Sequence, residues 1–339
     1  MKIRPKGFDY MKTATIVYSE YKDGKWSPLQ SSSDDTIRIN VMAGSLHYAL
    51  EVFEGLKAYH GADGKVRIFR PSENAARMAR SARFLGMPEV PEDMFTEACI
   101  RAVKENIDYL PDYDTRCSMY IRPFIYADNP QVNLVTGTEF KFIVAVVPVG
   151  SYTGTGLTPT KVMLVKDQDR AAPQGTGSYK IGANYASSLL AGVKAHEEGY
   201  SAILYLDAKE KKYIDEFGSA NFFAIKGNSY ITPDSPSVLP SITNKSLCTL
   251  ASDAGMTVER RHIPFEELST FDEAGACGTA LVITPVCEVY DKLDDKHYYI
   301  GSQSEVGPRS QALYDELTGI QFGEREDRHG WCVILDVTK

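Results

Sequence analysis

Several signals of specialised chemistry are missing from this 339-residue sequence. Its six cysteines form no C-x-x-C pair, and neither they nor its six histidines have metal-ligand spacing, so we expect reduced, mostly buried thiols and no metal. No apolar run has the length of a transmembrane helix or signal peptide. The net charge of −8 is spread along the chain instead of forming a basic patch. We therefore expect a cytoplasmic protein that binds neither nucleic acid nor membranes.

The composition that is present indicates a folded protein of two domains. Hydrophobic residues make up 43% and charged residues 24% of the sequence, a balance typical of globular proteins. A single core rarely serves more than roughly 250–300 residues. After Val149 the composition changes to three glycines and three threonines within ten residues. We therefore predict an N-terminal domain over 1–149, a connecting loop over 150–159 and a C-terminal domain over 160–339.

Hydrophobic periodicity predicts mixed helices and strands in both halves. In the first half, a strand at 66–70 stops at Pro71, and Ser72 is the expected N-cap of a helix that ends at Gly86. The alternation of helices and strands in the second half has no regular βαβ rhythm, which favours an α+β fold. The other predicted segments are strands at 37–41, 140–148, 161–165, 202–206, 213–217 and 221–225, and helices at 95–109, 184–198 and 239–255.

Lys180 is the first candidate for chemistry. It follows a glycine-rich loop, in Gly175-Thr-Gly-Ser-Tyr-Lys180-Ile-Gly-Ala-Asn-Tyr185, and small residues leave space beside it. An enclosed position would help the amine lose its proton near neutral pH, as a lysine that forms a Schiff base requires. The alternative is a solvent-exposed loop lysine.

Glu216 is the second candidate. In a strand it shares a face with Ile214, which points its carboxylate to the apolar side, where it needs a cationic partner. A protonated pyridine nitrogen of pyridoxal phosphate is one such partner, and holding that proton makes the ring an electron sink. A buried ion pair with an arginine is the alternative.

A phosphate site is the third feature that the sequence indicates. The helix that begins in the segment 239–244 offers first-turn amides, and Arg70 at the end of a strand offers a fork-shaped cation. Alternatively, Ser241 or Thr243 is only an N-cap and Arg70 only a surface charge.

These segments resemble, in order, the fold-type IV pyridoxal-phosphate enzymes, and among them the branched-chain amino acid aminotransferases. The resemblance covers nearly the whole chain, and it implies two domains, a smaller N-terminal α/β domain and a larger, barrel-like C-terminal α+β domain. The matching motifs are Leu46-His-Tyr-Ala-Leu-Glu-Val-Phe-Glu-Gly-Leu-Lys-Ala-Tyr59, Val66-Arg-Ile-Phe-Arg-Pro71, Tyr120-Ile-Arg-Pro123, Ser178-Tyr-Lys-Ile-Gly-Ala-Asn-Tyr185, Glu216-Phe-Gly-Ser-Ala-Asn221, Leu239-Pro-Ser-Ile-Thr243 and Gly278-Thr-Ala280.

The resemblance implies a cofactor, pyridoxal 5'-phosphate, and a role for each matching residue. Lys180 forms the Schiff base and also moves the proton during transamination. Glu216 corresponds to the partner of the pyridine nitrogen and Tyr185 to the tyrosine near the ring hydroxyl. The implied phosphate contacts are Arg70, Ile242, Thr243 and Thr279.

The resemblance also implies the substrates, L-leucine, L-isoleucine and L-valine with 2-oxoglutarate. Apolar walls suit branched side chains but separate them weakly, since one methylene is worth about 1–3 kcal/mol. Arg122 is a candidate for the second carboxylate of glutamate. The family forms homodimers, in which Tyr48 reaches the site of the other protomer. The implied substrate-binding residues are Tyr48, Phe53, Tyr120, Arg122, Tyr152 and Ala280.

Two departures and two competing interpretations accompany this resemblance. Leu281 and Thr284 occupy the places of a C-x-x-C pair in animal members, so we predict no thiol switch there, and Ser241 replaces a usual glycine. A D-amino-acid aminotransferase or an aminodeoxychorismate lyase would use the same Lys180 and Glu216. A non-catalytic protein that keeps the fold would be expected to have lost one of them.

Overall fold

The computed structural model describes residues 3–150 and 156–337, which divide into two compact units. Unit 1 takes its residues from 1–151, 179–182 and 319–339, and unit 2 from 152–178 and 183–318. The division differs from the predicted one because the segments 179–182 and 319–339 join the N-terminal part. With these segments, unit 1 is no smaller than unit 2.

The strands are numbered in chain order over the described residues. They are β1 (Ile16–Lys22), β2 (Lys25–Trp26), β3 (Gln30–Ser32), β4 (Glu51–Phe53), β5 (Leu56–His60), β6 (Val66–Phe69), β7 (Ser118–Ala127), β8 (Phe140–Val149), β9 (Thr160–Val165), β10 (Ala202–Leu206), β11 (Ile214–Phe217), β12 (Asn221–Lys226), β13 (Ser229–Pro233), β14 (Thr257–Arg261), β15 (Glu273–Gly278), β16 (Val282–Asp291), β17 (Lys296–Tyr299) and β18 (Cys332–Leu335).

The helices are numbered in the same way. The α-helices are α1 (Gly44–Tyr48), α2 (Pro71–Phe84), α3 (Glu92–Glu105), α4 (Ala183–Ala186), α5 (Leu189–Glu197), α6 (Ile242–Asp253) and α7 (Pro308–Gln321). Short 3-10 helices are found at Ile107–Tyr109, Tyr113–Thr115 and Phe265–Thr270.

Unit 1 is an antiparallel sheet with helices packed against it. The strand order is β18-β6-β5-β7-β8-β1-β2, with β3 beside β1 and β4 beside β7. Among the strands described, every pairing in this sheet is antiparallel, so α+β describes unit 1 better than the predicted α/β. Side chains of α2 and α3, such as Met78 and Phe95, complete an apolar core with Ile121 and Phe142 of the sheet.

Unit 2 contains a closed barrel. The strand order is β11-β10-β9-β16-β15-β12-β13-β14, with β17 on β16, and a further pairing of β11 with β12 closes the sheet on itself. Phe217 and Phe222 belong to its apolar core. The closed part consists of β11, β10, β9, β16, β15 and β12, and β13 and β14 extend the sheet beyond β12. This closure confirms the barrel-like C-terminal architecture.

Several predicted element boundaries differ from those of the structure. The segment 37–41 forms no strand, and residue 72 does not cap α2, because Arg70 occupies the N-cap position and Pro71 begins the helix. The predicted helix 184–198 is split into α4 and α5. The predicted helix 95–109 begins earlier, at Glu92, and ends as a 3-10 turn. Helix termini depend on tertiary contacts that periodicity does not report.

Three further observations concern the cysteines, metal sites and membrane-spanning helices. Five of the six cysteines are buried, and Cys332 is partly exposed. Within residues 3–150 and 156–337, no cluster of histidine, cysteine and carboxylate side chains has the arrangement of a metal site. Over the same residues, no helix combines the length and the apolar character needed to cross a membrane.

Candidate active site

Lys180 lies in unit 1 and is partly buried between β4 and α2. Its backbone N–H donates to Ser81 Oγ over 3.0 Å, and its carbonyl oxygen accepts from the Phe53 N–H over 3.2 Å. The amine Nζ lies 4.5 Å from the centre of the Phe53 ring. Burial, assisted by the nearby Arg77 guanidinium, lowers the pKa of Lys180 to about 8. The alternative of an exposed loop lysine is therefore wrong.

Three of the predicted substrate residues surround this amine within unit 1. The Arg122 guanidinium lies 5.0 Å from the ring centre of Phe53 and 5.1 Å from that of Tyr120, and its Nη2 donates to Tyr120 Oη over 3.2 Å. Tyr120 and Arg122 are two residues apart on β7 and so share a face of the sheet. A Cβ added at Gly55 would clash with Tyr120 Oη. A glycine is therefore needed there for Tyr120 to keep its place.

Arg70 and Tyr48 also belong to unit 1. Arg70 is only 9% exposed, so it is not a surface charge, and its guanidinium lies 4.9 Å from the Trp331 ring and donates to Glu73 over 3.0 Å. Its backbone adopts a left-handed conformation with φ of 49° at the start of α2. Tyr48 is 38% exposed, and its hydroxyl donates to the carbonyl oxygen of Val132 over 2.7 Å.

Glu216 lies on β11 in unit 2, where it is 3% exposed. Its Oε1 accepts from Arg170 over 2.7 Å and from the Leu239 N–H over 2.9 Å, and its Oε2 accepts from Asn221 over 2.7 Å. Burial raises the pKa of Glu216 to about 7, and Arg170 acts in the opposite direction. The carboxylate thus has the buried arginine partner that the sequence left open as an alternative. The neighbouring Asp215 is buried as well, since both faces of β11 are covered.

The predicted phosphate residues of unit 2 lie at two turns. Ile242 and Thr243 form the first turn of α6 and are buried, and Ser241 is the N-cap, its hydroxyl accepting from the Asn244 N–H over 3.2 Å. Thr279 directly follows β15. The amides of a first helical turn point away from the helix, which suits an anion.

Ala280 and Tyr185 complete the predicted residues of unit 2. Ala280 is partly buried in the turn after β15. Tyr185, on α4, lines a mostly apolar cavity of about 760 Å³ together with Leu281 and Thr284. Tyr152 lies outside the described residues.

Sequence reasoning missed several polar side chains that contact these groups. Arg170 precedes Lys180 by ten positions, and it also donates to the carbonyl oxygens of Gly177 and Ser237. Glu54 is the middle residue of the Phe53-Glu-Gly55 motif. It is fully buried and forms an ion pair with Arg77. A charged residue within an otherwise apolar motif was the signal available for Glu54. Arg170 had no comparable local signal, because its partner is distant in sequence.

The fold thus combines a closed barrel in unit 2 with a lysine in unit 1 whose pKa is lowered by burial. A sequence model of the family Amino-transferase class IV matches residues 51–289. The chain belongs to the class IV aminotransferase family, whose cofactor is pyridoxal phosphate.

Several relatives within this family share one activity. The branched-chain-amino-acid aminotransferase of Haemophilus influenzae is 45% identical over 97% of this chain and 97% of its own length. The crystal structure of the Escherichia coli branched-chain amino acid aminotransferase is 31% identical, with a TM-score of 0.79 over 95% of this chain and 99% of that one. The branched-chain aminotransferase of the archaeon Thermoproteus uzoniensis, solved with norvaline, is 26% identical with a TM-score of 0.76, over 94% of this chain and 99% of that one. The expected family, fold type and transaminase class are confirmed.

Proposed function

We propose that the protein transfers amino groups reversibly between L-leucine, L-isoleucine or L-valine and 2-oxoglutarate. The products are the branched-chain 2-oxo acids and L-glutamate. The observation that carries this assignment is the amine of Lys180 in unit 1, with Phe53, Tyr120 and Arg122 around it. The near full-length similarity to branched-chain aminotransferases supports the substrate class.

The donor set fits pyridoxal phosphate. We assign Lys180 as the covalent attachment point, Glu216 as the partner of the pyridine nitrogen and Tyr185 as the neighbour of the ring hydroxyl. The backbone at Ile242 and the side chains of the remaining residues would hold the phosphate, namely Arg70, Thr243 and Thr279. These roles are assigned from the family motifs. When bound, the cofactor withdraws electron density from the substrate Cα.

The chemistry assigned to this chain's own residues follows from their charges. With its pKa near 8, Lys180 Nζ has an appreciable deprotonated fraction at neutral pH, which suits it to take the proton from the substrate Cα and then to donate it at a different carbon during amino transfer. Arg122 is exposed beside Tyr120, and its permanent positive charge suits it to attract a substrate carboxylate. The ring of Phe53 offers an apolar surface for a branched side chain. Tyr48, Tyr152 and Ala280 are assigned to the same pocket on the family motifs alone.

We also propose a homodimer, supported by an exposed apolar patch around Tyr48. Two segments of unit 1 are joined by a hydrogen bond from the Gln131 N–H to the Met42 carbonyl oxygen. A monomeric protein rarely exposes a large apolar surface, so a second copy is the occupant that fits. The patch consists of Val41 (77% exposed), Met42 (36%), Leu46 (58%), Val132 (73%), Leu134 (79%) and Val135 (54%).

Light scattering of a Leu134→Asp variant tests the dimer. We expect it to lower the measured mass, and the matched change Leu293→Asp, at a residue of unit 2 that is 61% exposed, to leave the mass unchanged. A monomeric wild type, or an unaffected Leu134→Asp variant, contradicts the proposal.

Cytoplasmic location stays a prediction from the sequence.

Absorbance of the cofactor-loaded protein tests the activity. We expect the band of the lysine-bound cofactor to disappear on addition of L-leucine, and the variant Lys180→Ala to show neither the band nor the response, with activity lower by about a thousandfold or more. The matched control is Lys57→Met, because Lys57 is 6% exposed and burial lowers its pKa to about 8 as well. The control should keep both band and response.

The other outcomes of this experiment are equally informative. A response to D-alanine but not to L-leucine would keep the fold and the role of Lys180 but overturn the substrate assignment. A protein that stays colourless with added pyridoxal phosphate would overturn the enzymatic assignment. Loss of the band in the Lys57→Met variant alone would move the cofactor attachment to Lys57.

A further inference from the structure

Glu54, in the turn after β4, is a fully buried carboxylate whose oxygens are surrounded by donors. It is 0% exposed. Its Oε1 accepts from Arg77 Nε over 2.7 Å, and its Oε2 accepts from Arg77 Nη2 over 2.8 Å, from Asn74 Nδ2 over 2.7 Å and from the Gly55 N–H over 3.2 Å. Arg77 is itself only 9% exposed. The pair is therefore bidentate and desolvated.

The partners of Glu54 belong to one polar stripe of α2. Asn74, Arg77 and Ser81 follow one another at intervals of three and four residues and so lie along one side of the helix. All three are buried. At the far end of the stripe, Ser81 Oγ accepts the backbone N–H of Lys180. The stripe thus connects the Glu54 carboxylate to the main chain of the lysine.

The last turn of α2 also contacts the residue before the lysine. The ring of Tyr179 stacks on that of Phe84 with 3.9 Å between their centres, and the Arg80 guanidinium lies 5.4 Å from the Tyr179 ring centre. On the other side, the Phe53 N–H donates to the Lys180 carbonyl oxygen. Both α2 and the strand that precedes Glu54 therefore hold this segment.

A contribution to stability does not by itself explain the buried ion pair of Glu54 and Arg77. Burying two charges costs several kcal/mol of solvation, and well-packed apolar replacements are often as stable. We propose that Glu54 and Arg77 are positioning residues, which set the charge environment of the Lys180 amine while Ser81 fixes its backbone. This inference rests on the proposed function of Lys180 as the cofactor lysine.

The charges near the amine act in opposite directions. After burial, Arg77 is the largest influence that lowers the pKa of Lys180, and Glu54 raises it. Tyr120 and Arg122 also face the amine, the first raising and the second lowering its pKa. Arg77 and Glu54 therefore have opposite effects on the pKa of Lys180. Removal of Arg77 should raise this pKa, and removal of Glu54 should lower it.

The test titrates the Lys180 amine in protein from which any bound cofactor has been removed. The rate of reductive methylation of Lys180 is measured against pH by mass spectrometry, which needs no enzymatic activity. We expect Glu54→Gln to lower the midpoint by about one pH unit and Arg77→Met to raise it by about as much. Arg77→Lys, which keeps the charge, should restore most of the wild-type midpoint.

A matched control comes from the same helix. Arg83 forms an exposed ion pair with Glu89 at 2.7 Å, with the arginine side chain 66% exposed. Arg83→Met should leave the Lys180 midpoint unchanged. Ser81→Ala removes no charge, so we expect an unchanged midpoint but faster amide hydrogen exchange at Lys180.

Opposite shifts distinguish charge tuning from a general structural role, because loosened packing would move both variants in the same direction. Shifts of the same sign, or none in folded variants, overturn the inference. Where Glu54→Gln does not fold, the contrast between Arg77→Met and Arg77→Lys decides the question. A wild type that shows the expected shifts but binds no pyridoxal phosphate keeps this inference and overturns the proposed function.

Discussion

Unit 1 and unit 2 each bury an ionisable group for which we propose a role, and an arginine acts on each in a different way. In unit 1, burial and Arg77 both lower the pKa of Lys180, which ends at about 8. In unit 2, burial raises the pKa of Glu216 to about 7, but Arg170 lowers it. Burial disfavours charge in both places. The same kind of cation therefore promotes loss of the proton from the amine and retention of the charge on the carboxylate.

Under the proposed function, the two groups need their arginines for different reasons. A lysine that takes a proton from carbon must be neutral for part of the time. A carboxylate that faces a protonated pyridine nitrogen must be ionised. Lys57 shows that a lowered pKa is not sufficient, since burial lowers its pKa as far as that of Lys180. Lys180 differs from Lys57 in its surroundings, because the ring of Phe53 and the guanidinium of Arg122 lie near its amine.

Among the changes that test this comparison, removing the charge of Glu216 should have the largest effect on activity. We expect Glu216→Gln to lower kcat by about a hundredfold, because a preorganised charge would be lost at the cofactor ring. Asp215→Asn is the matched control, since Asp215 is the adjacent buried carboxylate and accepts from Ser237 Oγ over 2.8 Å. Steady-state kinetics with L-leucine decide the matter. Equal losses in both variants would mean that Glu216 acts only through the fold of β11.

Removing Arg170 should affect stability in a way that depends on pH. Arg170→Met leaves Glu216 buried without its cation, so its pKa rises further above the ordinary value. Below that pKa the folded variant takes up a proton and avoids the buried charge. The destabilisation is therefore small at about pH 6 and grows toward about 3–5 kcal/mol at about pH 9. Urea unfolding at both pH values measures it.

Arg261→Met provides the control for this prediction. Arg261 pairs with Glu267 at 2.7 Å, and both side chains are about one-third exposed (32% and 33%). An exposed pair contributes about 0–1 kcal/mol, so little pH dependence is expected. If Arg170→Met lowers the free energy of unfolding equally at both pH values, the destabilisation does not come from the buried charge of Glu216.

A steric change at Gly55 separates the effect of shape from that of charge, because it disturbs unit 1 without altering any charge. In Gly55→Ala, the new Cβ would overlap Tyr120 Oη, so the tyrosine must move. We expect KM for L-leucine to rise about tenfold with little change in the pH profile. Gly192→Ala is the control, because no atom lies within 4 Å of the added Cβ there. An unchanged KM in Gly55→Ala would remove Tyr120 from the substrate site.

The smallest expected effect is at the N-terminus of α6. Ser241→Ala removes the hydroxyl that accepts from Asn244 and should cost about 1 kcal/mol, whereas Ser241→Gly should cost only a few tenths. Both variants keep the backbone amides of the first turn. Affinity for pyridoxal phosphate, followed by absorbance titration, should therefore change little. A large loss of affinity in Ser241→Gly would show that the hydroxyl contacts the phosphate directly.

Much of the fold could be predicted from the sequence, with clear limits. Strands such as β10 and β12 were placed within a residue, because short apolar runs between turn residues are local signals. The segment 37–41 was wrongly given a strand, because β-branched residues alone do not provide a pairing partner. The pairing of β18 with β6 joins opposite ends of the chain and leaves no local trace.

The candidate site was predictable to the extent that motifs mark it. Lys180, Phe53, Tyr120 and Arg122 were named from their motifs, and the structure brings these four together in unit 1. The cofactor roles assigned to Glu216 and the phosphate residues stay predictions. Arg77 and Arg170 were missed, because an arginine is ordinarily a surface residue and only its contacts with distant residues show that it is buried.

The sequence by itself determined the family, the class of reaction and the lysine on which the reaction is proposed to depend, because these follow from short motifs whose order is preserved. Only the tertiary structure decided the protonation chemistry. Burial and the distance to another charge set a pKa, and both are properties of residues brought together from distant parts of the chain. Arg77 beside Lys180 and Arg170 beside Glu216 are examples.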